Sequence, residues 1–160
     1  MQYKNPNSVL VVIYANSTHR VLMLQRQDDS EFWQSVTGSL AEKETPFLTA
    51  LREVKEEIGV DIMAENLELI DCHESVEFEI FPHFRYKYAP NVTHSKEHWF
   101  LLGLPDEREP ILTEHLAYQW MSARQAAELT KSWNNRAAIE KYLINESAVN
   151  NLSIFNRTLI

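Results

Sequence analysis

Residues 45–59 admit one local structure. Thr45 followed by Pro46 reads as an N-cap and a first helical position, since a threonine oxygen accepts from an orphan amide and proline lacks the N–H that would go unpaired there. Phe47, Leu51, Val54 and Ile58 recur at i, i+4, i+7 and i+11, the spacing of a single helical face. Gly59 then supplies the residue that ends a helix in the left-handed conformation. Such a helix must lay its stripe on a larger apolar surface. β-rich runs at 8–14, 21–24, 32–37, 67–72, 76–81, 99–104 and 116–120 predict strands to supply it, the first two forming a hairpin. Two more helices are expected, at 122–129 and from Ser132 to about Asn145, the last burying Trp133, Ala137 and Leu143. The predicted class is α/β (α+β), a mixed β-sheet sandwiched between helices in α/β/α layers. We expect one domain over 1–146, then a tail over 147–160 whose role the sequence does not define.

The same helix carries Glu53, Glu56 and Glu57, which its periodicity places on one face, opposite the apolar stripe. Like charges at i, i+4 destabilise a helix by about 0.2–0.5 kcal/mol, and acids in the last turn oppose the macrodipole. An E-x-x-E-E cluster is most often a solvated face. Its alternative is a hard-cation site, because clustered carboxylates suit Mg2+ or Mn2+.

Composition removes several classes. There are 15 Lys plus Arg against 23 Asp plus Glu, a net charge of −8, so the cationic excess of a nucleic-acid or anionic-membrane binder is missing. A single cysteine, Cys72, excludes an intrachain disulfide and zinc sites built on paired cysteines. No run reaches the ~18 apolar residues of a membrane span, and the opening MQYKNPNS has no signal-peptide pattern, so a cytoplasmic protein is expected. With only Gly38, Gly59 and Gly103, neither a Rossmann nor a P-loop glycine motif can be written.

Two of those glycines fall into one constellation: Gly38, five residues, Glu44, seven residues, Arg52-Glu53-Val54, one residue, Glu56-Glu57, one residue, Gly59-Val60. This resembles the Nudix box and matches it without substitution, against a chance agreement on the order of 10⁻⁹ per starting position at ~5–7% usage per fixed residue. The resemblance implies the Nudix fold and Mg2+-dependent hydrolysis of a diphosphate linkage, with Mn2+ as a substitute ion. Glycine at 38 permits close approach of the backbone, and Glu44 with Arg52 makes a loop-to-helix ion pair. Many boxes have glycine where Thr37 and Lys43 stand here; Lys43 stiffens the loop.

Outside the box, Leu24-Gln25-Arg26, the run from Phe32 to Gly38, Leu69 to Cys72, Val76 to Phe81, Thr113 to Tyr118 and Leu129 to Arg136 are similar to the pterin triphosphate branch of the Nudix family. That resemblance implies cleavage of 7,8-dihydroneopterin 3′-triphosphate to the monophosphate and pyrophosphate in folate synthesis, with side activity on dATP and other nucleoside triphosphates. It implies Glu53, Glu57 and Glu114 as metal ligands; Glu53, Glu56 and Glu57 form the expected catalytic set, in which Glu53 and Glu56 are both candidate bases and Glu56 is alternatively a further metal ligand. Lys4, Arg26, Thr37, Phe78, Glu79, Ile80, Phe81 and Ser132 become substrate contacts. On their own residues these assignments stay open: Ser132 also serves as a plain N-cap, and Phe78 as plain core. His115 is a generic candidate base, while His94 and His98 read as surface. The partner is a small triphosphate, with no nucleic acid and no membrane; the oligomeric state is open. The rival readings are a MutT-type nucleoside triphosphate pyrophosphohydrolase and a Nudix-fold binding module without catalysis, which the complete set of box carboxylates disfavours.

Overall fold

The computed structural model describes residues 2–144, so the expected tail and the end of the last helix near Asn145 lie outside the described residues. A seven-stranded mixed sheet forms the middle layer. Its centre is β1 (Asn7–Ala15), which is buried from Ser8 to Ala15. A strand covered on both faces needs such a continuous apolar run. β1 lies antiparallel to β2 (Val21–Arg26) and β4 (Val36–Ser39), and parallel to β6 (His94–Leu104). β2 also pairs with β3 (Trp33–Gln34) and β7 (His115–Met121), while β5 (Leu69–Glu79) pairs with β6.

Side chains alternate across β1. Val9, Val11 and Ile13 meet Val54 and Ile58 of α1 (Pro46–Ile58). Leu10, Val12 and Tyr14 pack on the other face with Ala126 of α2 (Ala123–Leu129) and Ala138 of α3 (Trp133–Ile139). The predicted α/β/α sandwich is therefore observed. Among the described residues no helix is long and apolar enough to cross a membrane.

α1 has the predicted ends: Thr45 Oγ1 accepts from the Leu48 amide at 3.2 Å, Pro46 stands in the first turn, and Gly59 takes φ 74°. Its orientation differs from expectation. Phe47 is 39% exposed, and the buried face is Thr49, Ala50, Glu53, Val54, Glu57 and Ile58, roughly half the circumference at about 100° per residue. Glu53 and Glu57 therefore flank the apolar stripe instead of opposing it, and Glu56 alone of the three is exposed.

Other boundaries also move. The extended segment 32–37 breaks at Ser35, and its halves pair with different strands, β3 with β2 and β4 with β1. Segments 67–72 and 76–81 join into β5, whose pairing slips between Asp71 and Ser75 around His73 at φ 53°. Trp133 is 54% exposed, and α3 instead buries Asn134, Asn135, Ala138 and Ile139. Two polar anchors turn it by one position: Asn135 accepts from the Ser35 amide at 2.8 Å, and Asn134 donates to Glu97 at 2.7 Å.

Candidate active site

The loop after β4 is tied to α1 by one guanidinium. Arg52 Nε and Nη2 each reach Glu44 at 2.8 Å, Nη1 reaches Glu53 at 2.7 Å, and Nη2 also donates to the Ser39 carbonyl at 3.2 Å. The expected Glu44–Arg52 pair is present, and it holds the Glu44 carboxyl down to about 2. Charge-assisted bonds of this geometry are about twice as strong as neutral ones. β4 passes so near the helix that a Cβ on Gly38 would lie 2.1 Å from Glu53 Cδ. Glycine is required here by contact with a carboxylate side chain.

Glu57 lies one turn further on and is 2% exposed. Neither of its oxygens has a hydrogen-bond partner among the described residues. Burial first, then the close, hydrogen-bond-like approach of the Glu53 carboxyl and the Glu53 and Glu114 charges, raise its pKa well above the usual carboxylate value, against the weaker pull of the Thr37 backbone. Unpartnered buried carboxylate oxygens carry a large desolvation cost unless a cation meets them. His115 Nε2 stands 3.7 Å from Glu57 Oε1, but burial, followed by repulsion from Arg26, depresses the imidazole to about 4. At neutral pH it is uncharged and offers Glu57 no ion pair. The orphaned oxygens of Glu57, with Glu53 and Glu114 near enough to act on its charge, fit a hard divalent cation. The fit is incomplete: among the described residues no three His, Cys, Asp or Glu side chains form a metal-binding group, and Glu53 is engaged by Arg52. Glu56 faces outward, its carboxylate 3.2 Å from Arg52.

Glu57, Glu114 and His115 line one side of an open cleft of about 380 Å³. Its other side is basic. Lys4, Arg26 and Lys87 border both this cleft and a neighbouring cavity of about 410 Å³, as do Gln34 and Thr37. Arg26 is held bidentately by Asp28 at 2.7 Å from both guanidinium contacts, and stacks 4.2 Å over the Phe84 ring. Arg26 and Lys87 both act on Asp28, whose carboxyl is strongly acidified, first by the Arg26 hydrogen bonds. Lys4 is solvent-exposed as a residue, yet partial desolvation of its ammonium, then repulsion from Lys87 and Arg26, lower its pKa. Three cations thus share the rim, two of them, Arg26 and Lys87, paired with Asp28.

The second cavity is aromatic. Phe78, Ile80 and Phe81 line it, together with Glu79, which is paired with Arg85. Phe32 meets Phe81 edge-on at 5.7 Å and Phe84 at 6.0 Å. Ser132 lines this cavity too, but its hydroxyl donates to Asn134 Oδ1 at 2.7 Å and caps Asn135 at 3.1 Å. It belongs with the ring-sized cavity, and not with the acidic cleft. The structure thus brings Lys4, Arg26, Thr37, Glu57 and Glu114 together at one mouth, gathers Phe78, Ile80, Phe81 and Ser132 at the other, and leaves Glu56 at the surface.

Sequence reasoning missed Lys87, Gln34, Phe84 and Glu97. Lys87 and Phe84 lie on a 3-10 turn at Pro82–Lys87, in a basic-aromatic stretch whose pattern suggested no element. Glu97 sits in the polar first half of β6, ahead of the apolar run at Trp99 that signals the strand.

The chain belongs to the Nudix family: the NUDIX domain matches residues 4–142. It is 63% identical over 145 residues to the dihydroneopterin triphosphate diphosphatase of Haemophilus influenzae, covering 91% of this chain and 92% of that one. It is 62% identical over 143 residues to the Escherichia coli enzyme of the same name, covering 89% and 95%. The solved structure of the E. coli dihydroneopterin triphosphate pyrophosphohydrolase superposes with a TM-score of 0.89 at 61% identity, over 91% of this chain and 99% of that one.

Proposed function

We propose that this chain hydrolyses 7,8-dihydroneopterin 3′-triphosphate to 7,8-dihydroneopterin 3′-phosphate and pyrophosphate, with Mg2+ as its metal and the cytoplasm as its compartment. The observation that carries the reading is the pairing of cavities: a ring-sized aromatic chamber and an acid-lined cleft share one rim of Lys4, Arg26 and Lys87. The relatives at 62–63% identity supply the substrate. The domain is taken as 1–146, with 147–160 as an appended tail.

The residues divide the work. Phe78, Ile80 and Phe81 give the flat ring apolar surface, while Lys4, Arg26 and Lys87 draw the triphosphate across the rim. Phosphate oxygens suit the fork of Arg26, which exchanges its Asp28 contacts for them. Thr37, next to Gly38 in β4, lines both cavities, where ring would give way to phosphates. Glu53, Glu57 and Glu114 would hold Mg2+, which when bound neutralises phosphate charge and lowers the pKa of a water. Arg52, clamped by Glu44, orients Glu53, and Glu53 and Glu56 are the two candidates to take the water's proton. Of these, Glu56 stands at the surface beside Arg52.

The test is turnover of dihydroneopterin triphosphate and the four dNTPs with Mg2+, with pyrophosphate and orthophosphate assayed separately. Preference for the pterin with pyrophosphate release supports the reading. Equal or faster dNTP turnover overturns the substrate in favour of a MutT-type nucleotide hydrolase.

A further inference from the structure

Glu97 is 3% exposed, in the wall of the aromatic cavity. It stands on β6 beside Ser8 of β1, in parallel register. Both of its hydrogen bonds fall on one oxygen: Trp99 Nε1 donates to Oε1 at 3.1 Å and Asn134 Nδ2 donates to it at 2.7 Å. Oε2 receives no donor, and no cation pairs with the carboxylate among the described residues. Burial pushes its pKa up to about 7, against the pull of those two bonds. A buried carboxylate without a counterion is costly, and a glutamine would hold Trp99 and Asn134 equally well with its single carbonyl oxygen. The packing of β6 on α3 therefore does not explain why the residue is an acid.

The chemistry of the cavity does. Its walls are Phe78, Ile80 and Trp133, which suit the faces of a planar ring. In its ionised form the carboxyl presents at Oε2 an acceptor-only oxygen, which in such a chamber matches a ring edge that presents adjacent N–H donors. A 2-amino-4-oxopyrimidine has that edge, a ring N–H next to an exocyclic amino group. Adenine instead offers one amino donor beside an acceptor nitrogen.

We propose that Glu97 is the ring-selecting residue of the site, its Oε2 accepting the ring N–H and amino N–H of the 2-amino-4-oxopyrimidine half of a pterin. The inference rests on the pterin reading above for the identity of the ring, and on the structure for the position of the acceptor.

Glu97→Gln tests it, because the amide keeps an acceptor for Trp99 and Asn134 while placing an N–H donor where Oε2 stood. One donor and one acceptor match adenine and clash with the pterin edge. The ratio of kcat/KM for dihydroneopterin triphosphate to kcat/KM for dATP is expected to fall at least tenfold, chiefly through KM for the pterin. Loss of both activities by one factor, or no change in either, assigns Glu97 a structural role and overturns the proposal. A second measurement needs no variant, metal or phosphate: fluorescence titration of the wild-type protein with neopterin and with its analogue carrying oxo in place of the 2-amino group. The analogue is expected to bind at least tenfold more weakly; equal affinity overturns the proposal. Failure of the wild-type protein to hydrolyse the pterin triphosphate would overturn the proposed function, and this titration would still decide the role of Glu97.

Discussion

One strand position and one loop position show how narrowly backbone and side chains are fitted around the acidic cleft. At Gly38 a methyl group would occupy the space of the Glu53 carboxylate, 2.1 Å from its Cδ. Arg52 holds that carboxylate in place, so it cannot swing aside freely. Gly38→Ala is expected to destabilise the fold by about 1–3 kcal/mol, as overpacking does, and to lower kcat/KM at least tenfold. Chemical denaturation and steady-state turnover check both. Lys43 presents the opposite case. It stands at φ 65°, where a side chain costs about 1–2 kcal/mol and where many Nudix boxes have glycine. The stiff loop expected from the sequence is thus a strained one. Lys43→Gly should relieve more than the ~0.4–1 kcal/mol that glycine's freedom in the unfolded chain takes back. The melting temperature is expected to rise by about 2–4 °C per kcal/mol gained, with turnover unchanged, as thermal melts and assays will read.

At the scale of elements, the loop after β4 and helix α1 form one unit because Glu44 and Arg52 bind each other across them. The Glu44 carboxyl is held down to about 2 from an ordinary 4.5. A depressed carboxyl contributes stability that is whole above its ordinary value and lost as pH falls from there through its folded value. The protein should therefore lose stability between about pH 4.5 and 2, and Glu44→Gln should flatten that loss while lowering stability at neutral pH by on the order of 1–3 kcal/mol. Urea titrations across this range give the answer. The helix itself was legible to the residue, because caps and stripe are local signals. Its rotation was not: the burial of Glu53 depends on a side-chain-free strand residue at Gly38, brought in by sheet pairing. α3 repeats the lesson, since its hydrophobic periodicity pointed Trp133 inward while Asn134 and Asn135, bonded to Glu97 and Ser35, set the actual face. Segment 32–37 looks like one strand because nothing in its local sequence announces that its halves serve different partners.

Across the whole molecule, the box residues and the flanking residues meet at one rim from distant parts of the chain. Lys4 precedes β1, Arg26 ends β2, Thr37 lies in β4, Lys87 follows β5, and Glu114 precedes β7. The family resemblance put all but Lys87 on the site; charge pattern alone would have left Lys4 and Glu114 as solvated surface residues. Lys87 was hidden because its partner across the cleft, Asp28, is remote in sequence. Removal of metal should expose the electrostatic tension of this arrangement. With Glu57 buried and raised in pKa, chelator-treated protein is expected to melt at a lower temperature than protein with excess Mg2+, by an amount that grows with ion concentration as binding linkage requires.

The central claim is that the buried carboxylate of α1 drives hydrolysis of a pterin triphosphate. Its most direct test is pyrophosphate release from dihydroneopterin triphosphate by wild-type and Glu57→Gln proteins side by side in Mg2+. The account predicts that the variant keeps a folded, cooperatively melting structure and loses activity by a hundredfold or more, beyond the ~10–100-fold typical of outer-shell changes at metal sites. A folded Glu57→Gln protein with near-native turnover would contradict it.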